Sequence, residues 1–177
     1  MYKLKSENEN EKFKWSNLGD ISLGRENLGE NMPVEVYRLF QFMIRNILTK
    51  DYGVEKTNEL LRRSGELAGK EFCKNFLDKS ADFDGFIAQL QKILKNLKMG
   101  ILKIEKSDMD KMEIYLIIEE DLECSGLPIT NESVCDYDEG FIAGLLNEYT
   151  SKKFSAHEID CWATGARVCR FKVNLCE

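Results

Sequence analysis

Cys135, Glu158, Cys161 and Cys169 carry side chains of the kind that bind metals. Thiolate sulfur is a soft donor suited to zinc. A closed set of four protein ligands describes a structural site, whereas a catalytic zinc keeps one position open. Glu158 and Cys161 lie three residues apart on a local knuckle. Cys169 follows across a Thr-Gly-Ala turn, and Cys135 returns from the far side of a helical stretch. A metal held there would clamp that helix to the last two strands. Spacing alone leaves two other readings open. Cysteine is often only a small buried hydrophobe, and no CxxC pair is present. A disulfide framework ranks last. The residues from Met1 to Asn10 lack the apolar core of a signal peptide, so the chain is expected to be cytoplasmic, where six cysteines point to metal or free thiols.

No catalytic residues are assigned. A nucleophile–histidine pair would have to use His157, the only histidine. Beside Glu158 in a strand, its side chain points to the opposite face. Glu119-Glu120 and the pair Asp136 and Asp138 read as solvated ends of elements. Gly19, Gly24 and Gly29 do not form a phosphate loop, because no strand precedes them and no Lys-Ser/Thr follows. Phe83, Phe86, Tyr115, Phe141, Tyr149, Phe154 and Trp162 either fill the core or line an apolar ligand pocket.

The elements that must position these residues can be read from periodicity. A helix starts at Pro33, with Val34, Tyr37, Leu39, Phe40, Met43, Ile44, Ile47 and Leu48 at helical spacing. That stripe is wide for one helix: either it packs into the core, or it also meets a second copy of the chain. Lys50 to Gly53 breaks the pattern, and a second helix runs over 54–77. Its Gly65 and Gly69 lie four apart, which lets another backbone come close; Cys73 on the same helix is read as a core thiol. A third helix is capped by Asp82 or Asp84. Strands follow at 100–104 and 111–120, turning around 106–110. Ile114, Leu116 and Ile118 face one side and Tyr115 and Ile117 the other, which suggests a sheet covered on both faces. Residues 123–128 form a turn, 138–150 a helix, and 154–162 and 168–175 the last two strands.

The fold class is therefore α+β: N-terminal helices packed on a four-stranded antiparallel sheet, with a helix inserted between its two hairpins. The chain divides into a tail at residues 1–14 and a single domain at 15–177. The 177 residues, 43% hydrophobic and 32% charged, suit one globular domain with a real core. A net charge of −6 speaks against nucleic acid, whose phosphates are bound by Lys and Arg. No apolar run approaches the roughly 20 residues that span a bilayer.

The stretch from Cys135 to Val173 resembles the 4-vinyl reductase domain family of small-molecule-binding domains. Cys135, Tyr137, Gly140, Gly144, Glu158, Cys161, Gly165, Cys169, Phe171 and Val173 carry the resemblance, and Gly24-Arg25-x-x-Leu28-Gly29 is similar to the family's opening segment. The same domain is the sensor module of bacterial regulators that respond to phenols and xylenes, where three cysteines and a glutamate at this spacing hold zinc. The resemblance implies that Cys135, Glu158, Cys161 and Cys169 are structural zinc ligands. It also implies the fold of vesicle-tethering transport-particle subunits and of haem-based nitric oxide sensors, in which helix-mediated dimers are common. Haem held through a helical histidine is not expected, since no helix here contains one. Phenol is not the expected ligand either: those regulators orient it with a His and a Trp, and here no His, and no Trp after Trp15, precedes Cys135. The expectation is a stand-alone, zinc-stabilised domain that binds a small hydrophobic or aromatic ligand as sensor or carrier. It would form a homodimer through its N-terminal helices and pass its signal to a separate partner. The alternatives are an enzyme, or accessory protein, in reduction of a vinyl tetrapyrrole, and a non-catalytic protein-interaction module.

Overall fold

A computed structural model describes residues 13–108 and 111–176. The chain divides into two compact units, Met1–Pro33 and Val34–Glu177. The tail expected at residues 1–14 lies outside the described residues except for Phe13 and Lys14. The first unit carries a 3-10 turn at Trp15–Leu18 and one helical turn, α1 (Ile21–Gly24). Asp20 caps α1 by accepting the Leu23 N–H at 2.9 Å.

The second unit contains α2 (Val34–Tyr52), α3 (Val54–Phe76), α4 (Phe83–Asn96), β1 (Ile101–Asp108), β2 (Glu113–Glu119), α5 (Asp136–Thr150), β3 (Phe154–Asp160) and β4 (Cys169–Leu175). Gly53, at φ +81°, separates α2 from α3, and Asp82 caps α4 through the Gly85 N–H at 2.9 Å. The strands form one antiparallel sheet in the order β1-β2-β4-β3, so the two hairpins meet where β2 pairs with β4. This is the expected α+β architecture, with α5 between the hairpins. β1 runs past the expected end at 104 because a bulge between Ile104 and Lys106 restores pairing as far as Asp108 opposite Glu113. Trp162 has left β3 and opens a 3-10 turn.

Ile114, Leu116 and Ile118 point into the core opposite Val173, Phe171 and Cys169. The other face carries Tyr115 between Lys106 and Lys172, 5.7 and 5.6 Å from its ring centre, together with Ile117, Arg170 and exposed His157. The sheet is therefore not covered on both faces. The long lysine stems shield Tyr115 while their charges stay in water.

α5 is the central element, with nine of its residues buried from Asp136 to Leu146. It packs on α3 backbone to backbone. A Cβ added to Gly65 or Gly69 would lie 2.0 or 2.2 Å from the carbonyl oxygens of Tyr137 and Phe141; one added to Gly140 or Gly144 would lie 1.9 or 2.2 Å from those of Arg62 and Glu66. All four positions must be glycine for the helices to sit this close. α2 contributes no buried residue. Its polar side holds it: Arg38 donates to the carbonyls of Leu122 and Ser125, and Arg45 to Asn58, the Val134 carbonyl and Asp136. Its apolar stripe does not pack into the core, since Val36, Leu39, Phe40, Met43 and Ile47 are 48–68% exposed. Among the described residues no helix is long and apolar enough to cross a membrane.

Candidate functional site

The loop between β2 and α5, the start of α5, the end of β3 and the start of β4 each deliver one cysteine to a common point. In the loop, Asp121 Oδ1 accepts the backbone N–H groups of Glu123 and Cys124 at 2.8 and 3.0 Å, a local turn that aims Cys124 inward. Cys135 precedes α5, and its carbonyl takes the Glu139 N–H at 3.0 Å. Cys161 opens the turn after β3; its carbonyl accepts from Thr164 and Ala166, both at 3.1 Å, and Gly165 at φ +101° closes that turn. Cys169 begins β4.

Cys124, Cys135, Cys161 and Cys169 are at most 1% exposed, and their four sulfurs lie within 4.8 Å of one another. Cys135 Sγ is 3.8 Å from both Cys161 Sγ and Cys169 Sγ, and Cys124 Sγ is 2.9 Å from Cys169 Sγ. Zinc–sulfur bonds of about 2.3 Å in a tetrahedron put sulfurs about 3.8 Å apart, so the donor set fits a zinc ion. All six cysteines are free thiols. Hydrogen bonding with Cys124, then with Cys161 and Cys169, drives the Cys135 thiol far above its ordinary value. The corresponding bonds from Cys124, Cys135 and Cys169 push Cys161 far below. Without a cation the cluster cannot carry four thiolates; a divalent ion removes that conflict.

The structure thus brings Cys135, Cys161 and Cys169 together and adds Cys124, which the sequence reading left in a turn. The signal available for Cys124 was the Asp121-x-x-Cys124 turn and a fourth cysteine in the C-terminal half of the chain. Glu158 lies beside Cys135 and Cys169. Its Oε2 accepts from the Ser133 hydroxyl, its backbone N–H donates to Glu139 Oε1 at 2.8 Å, and its Oε1 is buried without a partner. Burial pushes its carboxyl up to about 8. Asp136 and Asp138 are not solvated ends. Asp136 is 5% exposed and ion-paired to Arg45 at 3.0 Å and Arg62 at 2.6 Å, and Asp138 Oδ2 has no solvent contact.

An apolar cavity of about 50 Å³ lies between α4, α5 and the first hairpin. Phe86, Leu90, Leu102, Leu116, Phe141 and Leu145 supply much of its wall, and Tyr37, Asp121, Glu123, Tyr137 and Asp138 its polar part. Of the seven aromatics considered from sequence, Phe86 and Phe141 line it. Tyr149 stacks on Phe86 at 3.9 Å and donates its hydroxyl to the Ala81 carbonyl. Phe83, Phe154 and Trp162 line separate outer grooves, and Tyr115 is on the far face of the sheet. The sequence missed the acids because Asp121 and Glu123 read as turn residues. Burial, then the charge of Asp121, pushes Glu123 up to about 8; burial, then Asp121 and Glu123, raises Asp138.

The family model of the vinyl-4-reductase domain matches residues 114–175, which span β2 to β4 and include all four clustered cysteines. The protein MJ1642 of Methanocaldococcus jannaschii is 33% identical over 150 residues, covering 85% of this chain and 82% of that protein. Among solved structures, trafficking protein particle complex subunit 3 from Naegleria fowleri, covalently bound to palmitic acid, superposes with a TM-score of 0.66 at 18% identity. The match covers 81% of this chain and 95% of that one. The phenol-responsive sensory domain of the transcription activator PoxR, with phenol, gives 0.62 at 16% identity over 83% and 76% of the two chains. At these identities the structural likeness is one of fold.

Proposed function

Given that the chain belongs to the vinyl-4-reductase domain family, we propose that its second unit is a small-molecule-binding sensor or carrier domain braced by a structural zinc ion. The observation that carries this reading is the convergence of four buried thiols, from segments far apart in sequence, beside an apolar cavity. Cys124, Cys135, Cys161 and Cys169 hold the ion, with Glu158 as the adjacent carboxylate and Asp121 as the residue that positions Cys124. The zinc ties the β2–α5 loop, which forms one end of the cavity, to both strands of the second hairpin. The PoxR sensory domain binds phenol on a similar fold, which supports a small organic ligand here. A tetrapyrrole is far larger than a cavity of about 50 Å³, which weighs against reduction of a vinyl tetrapyrrole inside it. The exposed stripe of α2 supports a homodimer, and six free thiols support a cytoplasmic location.

The test is metal content of the full chain purified without added metal. One zinc per chain is expected, together with loss of metal and a lower unfolding midpoint in Cys124→Ser and in Cys161→Ser. Glu158→Gln separates the two ligand sets: full zinc content in that variant assigns the fourth position to Cys124, and loss assigns it to Glu158. A stable, metal-free parent chain overturns the zinc-braced reading.

A further inference from the structure

The cavity is apolar over most of its wall, yet one end carries three carboxyl side chains whose hydrogen bonding is incomplete. Asp121 and Glu123 are each 3% exposed. Asp121 Oδ1 is occupied by two backbone N–H groups, and Glu123 Oε1 by the Tyr37 hydroxyl at 3.2 Å. Glu123 Oε2 and Asp138 Oδ2 are buried with no partner, as is Gln41 Oε1 next to Glu123. Each orphan is an acceptor. A buried acceptor without a donor costs roughly 1–3 kcal/mol, so a site with this composition is short of donors. The chain does not supply them: Arg38 is committed to loop carbonyls, and Arg45 to Asn58, Val134 and Asp136.

We propose that the cavity takes a small primary amine, with its ammonium group donating to Glu123 Oε2 and Asp138 Oδ2 and its short apolar body lying among the Phe86, Leu116 and Phe141 side chains. An ammonium group offers three donors and a charge opposite to that of a carboxylate, whereas a hydroxyl offers one donor and leaves an orphan behind. A divalent cation fits less well. Hard cations take six or more oxygen ligands, and here Asp121 Oδ1 is spent on backbone N–H groups while the third ligand atom within reach is the Cys135 sulfur. An ion would also leave the apolar wall without a role. The inference rests on the cavity being a binding site, as proposed above, and not on the zinc.

Isothermal titration of the full chain with n-butylamine and with n-butanol tests it. The two probes are nearly equal in size and differ in the head group. The amine is expected to bind at least about tenfold more tightly, the difference one charge-assisted hydrogen bond makes. Glu123→Gln and Asp138→Asn are expected to erase that preference while leaving the butanol affinity within about threefold. Equal affinity for the two probes in the unaltered chain overturns the amine assignment and leaves the cavity reading standing; this comparison needs no variant to fold. An amine preference that persists in both variants also overturns it. Binding of neither probe overturns the amine assignment and the cavity reading together, whatever the zinc content.

Discussion

Replacing Gly140 by alanine sets two effects against each other, and the structure says which wins. Alanine is the better helix former by about 1 kcal/mol, so in an open helix the change would stabilise. At position 140 the new Cβ would lie 1.9 Å from the Arg62 carbonyl oxygen, 2.7 Å from its carbon and 2.9 Å from the Glu66 nitrogen. Against a floor of 3.0 Å the oxygen contact falls 1.1 Å short. The obstacle is backbone, so no rotamer change relieves it; α3 and α5 must separate. α5 also packs against the sheet and begins directly after Cys135, so its displacement disturbs the core and moves one sulfur of the cluster. Overpacking of this kind costs about 1–3 kcal/mol, and the backbone contact puts this case at the upper end. The net expectation is a loss of about 2 kcal/mol. With a urea m value of about 2–3 kcal/mol/M, the midpoint falls by about 0.7–1 M at unchanged m. Gly24→Ala is the control: nothing lies within 4 Å of its added Cβ, and its effect should stay within about 0.5 kcal/mol. Equilibrium urea unfolding of the three zinc-saturated chains decides the matter. A Gly140→Ala chain as stable as the parent would show that the helices do not meet through these glycines.

Two further outcomes are expected. Sedimentation equilibrium should show a dimer for the parent chain and a monomer for Phe40→Glu, because the substitution puts a charge at the most exposed point of the α2 stripe, 68% accessible in the chain alone; a monomeric parent removes the dimer. Glu123 titrates at about 8 when folded and at 4.5 otherwise. Between those values the folded chain holds a proton that the unfolded chain has lost, so this group's contribution to stability is present below pH 4.5 and declines as pH rises towards 8. Comparing the parent with Glu123→Gln over this window should show the parent losing stability relative to the variant as pH increases; parallel pH profiles would contradict the burial of that carboxyl.

Much of the fold was legible because local rules govern it. Gly53 separated two helices, Asp82 capped a third, and the alternation of Ile114, Leu116 and Ile118 fixed the inward face of β2. Gly65 and Gly69 announced a close helix contact but not its partner. The glycines of α5 that answer them, Gly140 and Gly144, lie far along the chain, and only packing brought the two pairs together. Cys135, Cys161 and Cys169 stood out by type and spacing. Cys124 did not, because its place in the cluster depends on how the β2–α5 loop folds back over the start of β4. The α2 stripe looked like a core face, yet hydrophobic periodicity records only that one side of a helix differs from the other. Arg38, Arg45 and Tyr37 turn the polar side inward. Asp121, Glu123 and Asp138 mark the limit most sharply: in sequence they are ordinary surface acids, and only tertiary packing shut their carboxyls away from water without giving every oxygen a donor.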